Sequence, residues 1–282
     1  MPVYDSCTIM PFFRPNKAFD VLIQRREVNL MDISRLQLLG GNLEGSSVHI
    51  SRTLMLSEIE MLFQSTDANS SIDDYRIAII DENCLLKSTM ETRKISFAKL
   101  KIAYSLDLNN KLFRMLRTLY ELAPEELPLL AFLCVYCRDS ILRFSDEHIQ
   151  TVAQDTEITS DFFSSIIEEE YPGKYSKATL SSMSRNLLSS FYKSGHVNGT
   201  KTKKTRSQAK AGPAAVTYAA TIAYECGERG LFLCDNEFMR AIDCTKELAL
   251  SLLSVADAKG YISLRMLGEV MDIQFEYAEG IV

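Results

Sequence analysis

The chain has 282 residues, 46% of them hydrophobic, and carries 31 Lys and Arg against 37 Asp and Glu, a formal charge of −6. This length and apolar content exclude a disordered chain and predict one large or two small folded domains. Seven cysteines, with no secretory leader ahead of them, indicate a reduced, cytoplasmic protein. The charge-free runs are all shorter than the roughly 20 residues of a spanning helix, so no membrane span is expected.

Residues 1–50 are predicted to form an N-terminal extension packed on the body of the protein. The apolar residues between Phe12 and Ile23 are too hydrophobic for a free tail and favour a short strand or helix. A helix over Leu30–Leu39 is expected next, because Gly40-Gly41 is a typical helix stop.

Residues 51–122 are predicted to be an N-terminal helical subdomain with a helix-turn-helix-like order. The expected helices cover Leu54–Gln64, a segment capped by Ser71 or Asp73, a segment after Ser88, and Asn109–Leu122. Arg93 and Lys94 fall on the outward face of the third helix, which makes it a second, weaker candidate for an anion-binding helix. A plain solvated helix face explains the same charges.

Residues 123–282 are predicted to be a C-terminal helical subdomain around a buried central helix, Leu127–Tyr136, which is apolar on all sides. The other expected elements are a turn at Asp139–Phe144, helices at Asp146–Gln154, Ser160–Glu169 and Lys177–Lys193, a small-residue helix from Pro213, helices at Phe232–Asp243 and Lys246–Asp257, and short strands at Tyr261–Leu264 and Ile273–Tyr277 around a helical turn. The fold class is therefore all-α, with helix-turn-helix elements and a short β-wing.

The charge is distributed unevenly, and the segment Tyr171–Tyr224 contains nine basic residues and no Asp or Glu. The remainder of the chain holds 22 basic against 37 acidic residues. A basic segment in an otherwise acidic chain indicates an anion-facing surface, although a flexible, solvated basic loop has the same composition.

The order of the predicted elements within this segment favours an anion-facing surface over a flexible basic loop. Ser176 can cap a helix over Lys177–Lys193, in which Lys177, Ser181, Arg185 and Ser189 share one face, with Ser184 and Lys193 close to it. Two glycines and a basic hairpin follow, and helix then basic hairpin is the order of a winged helix-turn-helix, here spanning 171–212. The predicted DNA-binding residues are Lys174, Lys177, Ser181, Arg185, Lys193, His196, Lys201, Lys203, Lys204, Arg206 and Lys210, with Arg93 and Lys94 from the weaker helix.

Other chemistry has little support in the sequence. Cys134-x-x-Cys137 lies in an apolar run and has no second ligand pair, so the two thiols are expected in the core. Three histidines stand in no nucleophile or metal motif. No catalytic residue, metal or cofactor is predicted. The charged residues that flank apolar helices are expected to form buried ion pairs; they are Glu225, Glu228, Arg229 and Asp243.

The sequence contains an ordered series of short motifs. They are Glu82-Asn83-x-Leu85-x-Lys87-x-Thr89, Cys137-Arg138-Asp139-x-Ile141-Leu142-Arg143-Phe144, the run from Asn186 to Val197, Lys204-x-Arg206, Pro213 with its Ala-rich helix, Gly227-Glu228-Arg229-Gly230, and Ala241-Ile242-Asp243. Over residues 50–277 this series resembles the BrxA family of BREX phage-exclusion systems.

The resemblance implies an all-helical body similar to the antitermination factor NusB. It implies a non-enzymatic protein that binds double-stranded DNA and works with the methyltransferase and ATPase components of the defence system. Lys204 and Arg206 are the basic positions that match the family pattern. Two alternatives stay open, an RNA-binding antitermination-like factor and a protein-interaction scaffold.

Overall fold

The computed structural model describes residues 34–44, 47–268 and 270–275, and it is mainly helical. Its helices are α1 (34–38), α2 (Leu56–Gln64), α3 (Ile72–Ile80), α4 (Met90–Tyr104), α5 (Lys111–Leu122), α6 (Leu127–Tyr136), α7 (Ser140–Ile149), α8 (Ser160–Glu170), α9 (Lys177–Lys193), α10 (Pro213–Cys226), α11 (Glu237–Arg240) and α12 (Lys246–Ala258). Two antiparallel hairpins complete the described part, β1 (Val197–Gly199) with β2 (Lys204–Arg206), and β3 (Ser263–Leu267) with β4 (Val270–Gln274). A helical protein with a short basic hairpin was predicted and is confirmed, whereas the likeness to NusB stays a prediction.

The core is built around α6, as its uniform hydrophobicity predicts. Every residue of α6 except Pro128 is buried, and α2, α4, α5, α7 and α10 all pack against it. Cys134 and Cys137 are among these buried residues, so the prediction of core thiols is confirmed. Burial raises the pKa of the Cys134 thiol to about 11, which keeps it protonated and unreactive at neutral pH.

The predicted subdomain boundary near residue 122 stays a prediction. Helices α2, α4 and α5, which precede it, pack on α6, and α5 also packs on α10. The element predicted between Phe12 and Ile23 lies outside the described residues. No helix in the described ranges is both long and apolar enough to cross a membrane.

Three predicted elements are wrong, and each has a local cause. Asp139 begins a helix instead of a turn, because its carboxylate accepts hydrogen bonds from the amides of Ile141 and Leu142. The helix predicted over Phe232–Asp243 is split into a 3₁₀ turn and the four-residue α11 by Asn236, which caps α11.

The third error concerns the C-terminus. The helical turn predicted between the last two strands is absent, and β3 and β4 form a hairpin instead. Gly268 adopts a φ of +61°, a conformation that a glycine reaches without strain and that a tight β-turn requires.

The hairpin of β1 and β2 makes a further main-chain contact with the segment between α7 and α8. After α7, residues 155–158 pair with β2 through main-chain hydrogen bonds from Ile158 N to Lys204 O (2.9 Å) and from Arg206 N to Thr156 O (2.8 Å). Helices α8 and α9 follow, and β1 then returns to pair with the other edge of β2. Strand β2 is therefore central, with residues 155–158 and β1 on its two sides. The bridge between residues 155–158 and β2 was not predicted.

Candidate nucleic-acid interface

Helix α9 has the bounds that the sequence predicts. Ser176 caps it, with its hydroxyl accepting from the amide of Thr179 at 3.2 Å. Met183, Leu187 and Phe191 are buried on its inner face. The Phe191 ring stacks on Phe163 of α8 with a centroid distance of 5.4 Å, which fixes the rotation of α9 on the body.

The outer face of α9 carries Lys177, Ser181, Arg185 and Tyr192, all exposed. Arg185 and Tyr192 are seven residues apart, which is two helical turns, so they point in the same direction. Ser184 does not belong to this face. It is fully buried and its hydroxyl bonds to Ser164 of α8 at 2.9 Å, so its predicted position near the cationic face is wrong.

The wing continues this face without a break. The Lys204 ammonium lies 5.5 Å from the centroid of the Tyr192 ring, a cation–π contact that joins β2 to the end of α9. Lys201 and Lys203 are exposed at the hairpin tip. Within the described ranges, Lys177, Arg185 and the three wing lysines form no ion pair with a carboxylate. We call these five cations, with Ser181 and Tyr192, the winged face.

Arg206 is buried and does not belong to the winged face, so its prediction as a DNA contact is wrong in this conformation. Its guanidinium makes a bidentate pair with Asp243, from Nη1 to Oδ2 at 2.9 Å and from Nη2 to Oδ1 at 2.5 Å. Nη1 also donates to the carbonyls of His196 and Ser207. The pair fastens the base of the wing to the segment before α12, and it confirms the prediction that Asp243 forms a buried ion pair.

His196 is also completely buried, and the prediction that it contacts DNA is wrong for the same reason. Its Nε2 donates to the carbonyl of Ala241 at 3.0 Å, and its Nδ1 accepts from the Ser194 hydroxyl at 2.7 Å. Burial lowers the pKa of His196 to about 4, so the imidazole is neutral at pH 7.

A second buried acid, Asp146 of α7, lies near the pair of Arg206 and Asp243. Burial raises the pKa of Asp146 well above its usual value, and the charge of Asp243 raises it further. Asp243 behaves oppositely. Burial raises its pKa, but the hydrogen bonds from Arg206 and the nearby His196 lower it more, so its net pKa is below the ordinary value. Asp243 is therefore the ionised carboxylate that neutralises Arg206, whereas Asp146 favours its protonated form.

Lys193 and Lys210 line an open cleft of about 570 Å³ beside the winged face. Glu125 and Glu126, which come just before α6, line the same cleft. Glu126 accepts from the amides of Ala214 and Ala215, so it also caps α10. Because this cleft contains both signs of charge, Lys193 and Lys210 have a weaker claim to phosphate than the winged face.

The remaining predicted residues lie elsewhere. Lys174, in the loop between α8 and α9, holds its ammonium 4.4 Å from the centroid of the Tyr171 ring. Arg93 of α4 donates to the carbonyl of Ile80 at 3.1 Å and so caps α3. Lys94 is exposed on α4. The structure thus gives Arg93 a structural contact and leaves Lys94 on a separate helix from the winged face.

A buried polar network that the sequence analysis missed supports α9 from behind. His49 Nδ1 lies 2.8 Å from Asp139 Oδ2, and His49 Nε2 lies 2.9 Å from Ser190 Oγ. These distances match a Ser–His–Asp relay. However, all three side chains are buried, and Ser190 Oγ also accepts from the amide of Leu54 at 2.8 Å. No substrate can reach the hydroxyl, so the geometry fits a structural clamp between residues 47–50, α7 and α9.

Four of the short sequence motifs meet in these two buried networks. Arg206 and Asp243 belong to separate motifs and pair directly. Asp139 and Ser190 belong to two others and are joined through His49. Within the described ranges, no group of three or more His, Cys, Asp or Glu residues could hold a metal ion. No protein-family model and no curated protein matches the chain.

Proposed function

We propose that this chain is a non-enzymatic accessory protein of a BREX-type phage-defence system and that it binds double-stranded DNA. Helix α9 enters the major groove, and the hairpin of β1 and β2 lies along the adjacent backbone. The expected partners within the system are its methyltransferase and ATPase components. Both the assignment to this system and the partners rest on the motif resemblance.

One observation carries the DNA-binding proposal. The winged face combines five cations, which form no ion pair with any residue that the structure describes, with the strand and helix order of a winged helix-turn-helix. Cations in this arrangement displace counterions from phosphates, a source of affinity that does not depend on sequence. Arg206, one of the nine basic residues of the segment, is neutralised by a carboxylate, so it is not counted among the contacts.

The test is fluorescence anisotropy of a labelled 20-base-pair duplex, titrated at several salt concentrations. Replacing both Lys203 and Lys204 by Ala should weaken binding and reduce the salt slope by about one unit for each lost phosphate contact. The matched control is Lys259→Ala with Arg265→Ala, which removes two exposed cations outside the winged face. This control should leave the salt slope of duplex binding unchanged, although it alters the net charge of the protein as much as the Lys203 and Lys204 double variant does.

Three results would overturn the proposal in different ways. Equal loss of affinity in both double variants would mean that net charge, and not the winged face, governs binding. Preference for a structured RNA of equal length in competition would favour the RNA-binding alternative. No binding to either nucleic acid, with a nuclease-resistant complex of defence components, would favour the scaffold.

A further inference from the structure

Arg185 occupies the centre of the exposed face of α9. The helix has 17 residues, and Lys177 and Lys193 stand at its two ends, each eight residues from Arg185. At 1.5 Å per residue, each end lies about 12 Å from the centre along the axis. A helix in the major groove, which is about 12 Å wide, directs its outer central side chains to the groove floor and its end residues towards the phosphate rims.

The surroundings of Arg185 allow this close approach. One turn to either side lie Ser181 and Ser189, whose short side chains do not hold the helix away from a groove floor. Arg185 is exposed, and within the described part of the chain it forms no ion pair and no hydrogen bond that would engage its guanidinium. Arg206 differs from Arg185, because both of its terminal guanidinium nitrogens donate to Asp243.

We infer that Arg185 is the residue through which α9 reads base sequence, and that it recognises guanine. The guanidinium presents two parallel donors that match the O6 and N7 acceptors of guanine in the major groove. Lys177 and the wing lysines are single-point cations suited to phosphates, which carry no sequence information. The inference rests on the proposed function, and it adds that binding is base-selective at a position set by one side chain.

The experiment begins with wild-type protein and a randomised duplex pool, from which bound sequences are selected and sequenced. An enriched guanine is then replaced singly by 7-deazaguanine, which lacks the N7 acceptor, or by inosine, which lacks only the minor-groove amino group. The 7-deaza duplex should bind roughly tenfold more weakly, within the range for a good base contact, and the inosine duplex should bind as tightly as the parent.

Two variants separate base reading from charge. Arg185→Lys keeps the charge but replaces the two parallel donors by a single ammonium, so it should retain the salt slope and weaken the distinction between guanine and 7-deazaguanine. Lys177→Ala, the matched variant on the same helix, should weaken binding to all duplexes equally and keep the distinction. Circular dichroism should show that both variants are folded, since both side chains are exposed.

The inference is overturned if the wild-type protein enriches no guanine, or if Arg185→Lys discriminates against 7-deazaguanine as strongly as the wild-type protein does. It is also overturned if inosine weakens binding as much as 7-deazaguanine does, because the reading would then come from the minor groove. In each of these cases salt-dependent duplex binding can persist, which leaves the proposed function standing. A protein that binds no duplex at all overturns both.

Discussion

The pair between Arg206 and Asp243 should make Arg206 one of the most sensitive positions in the wing. Arg206→Ala would leave the Asp243 carboxylate, 5% exposed, without the two guanidinium donors at 2.5 and 2.9 Å. Removing one partner of a buried pair costs roughly 3–5 kcal/mol. For a protein of this size, that corresponds to a fall of about 6–20 °C in Tm.

The assay is urea and thermal unfolding followed by far-ultraviolet circular dichroism. Lys203→Ala, an exposed cation three residues away, is the matched control and should stay within about 0.5 kcal/mol of wild type. Replacing the pair together, by Arg206→Met with Asp243→Leu, should recover more than half of the loss, because no charge is then buried alone.

The same variants decide whether Arg206 also touches DNA. If it only positions the wing, the paired replacement should keep the salt slope of duplex binding within half a unit of wild type. A stability loss below about 1 kcal/mol for Arg206→Ala would refute the anchoring argument, since leaving a buried carboxylate without its cationic partner should cost more free energy than that. Arg206 would then have to be considered again as a surface cation.

Three further predictions test the buried groups. Burial raises the pKa of Asp146, so the folded state holds a proton that the unfolded chain releases, and stability falls as pH rises above the ordinary value near 4. Asp146→Asn should therefore unfold at higher urea than wild type at pH 7, and the difference should vanish at pH 3. His196, with a pKa of about 4, should show a neutral Nε2–H imidazole in ¹⁵N spectra down to about pH 5, and its stabilising contribution should be lost as pH falls from about 6.5 towards 4. An imidazolium signal at pH 6 would contradict its burial. Cys134, with its raised pKa, should resist iodoacetamide at pH 8 in the native protein and react in urea, as peptide mass spectrometry would show.

Local patterns were enough to predict those helices whose capping residue and apolar face are both visible in the sequence of the helix itself. The bounds of α9 follow from Ser176 and from apolar residues three and four apart, and both features lie within the helix or next to it. The buried α6 could be predicted for the same reason, since a helix without a polar face must be covered on all sides.

The functional roles of single cations could not be predicted from local patterns. Arg206 and Lys204 look alike in the sequence, and they differ only because Asp243, 37 residues later, meets one of them. The clamp behind α9 joins His49 to residues 90 and 141 positions away, and no short motif encodes such a contact. Residues 156–158 lack strand-like alternation, and they pair with β2 only because it offers them a free edge.

The frame of the wing is made from main-chain hydrogen bonds on both sides of β2 and from one buried ion pair at its base. None of these contacts uses the side chains at the hairpin tip. Lys201 and Lys203 can therefore be exchanged without altering the path of the backbone that carries them. Thr200 is different, because its hydroxyl accepts a hydrogen bond from the amide of Lys203 at 3.2 Å. A version of this protein with a new target would change the two lysines and keep this threonine.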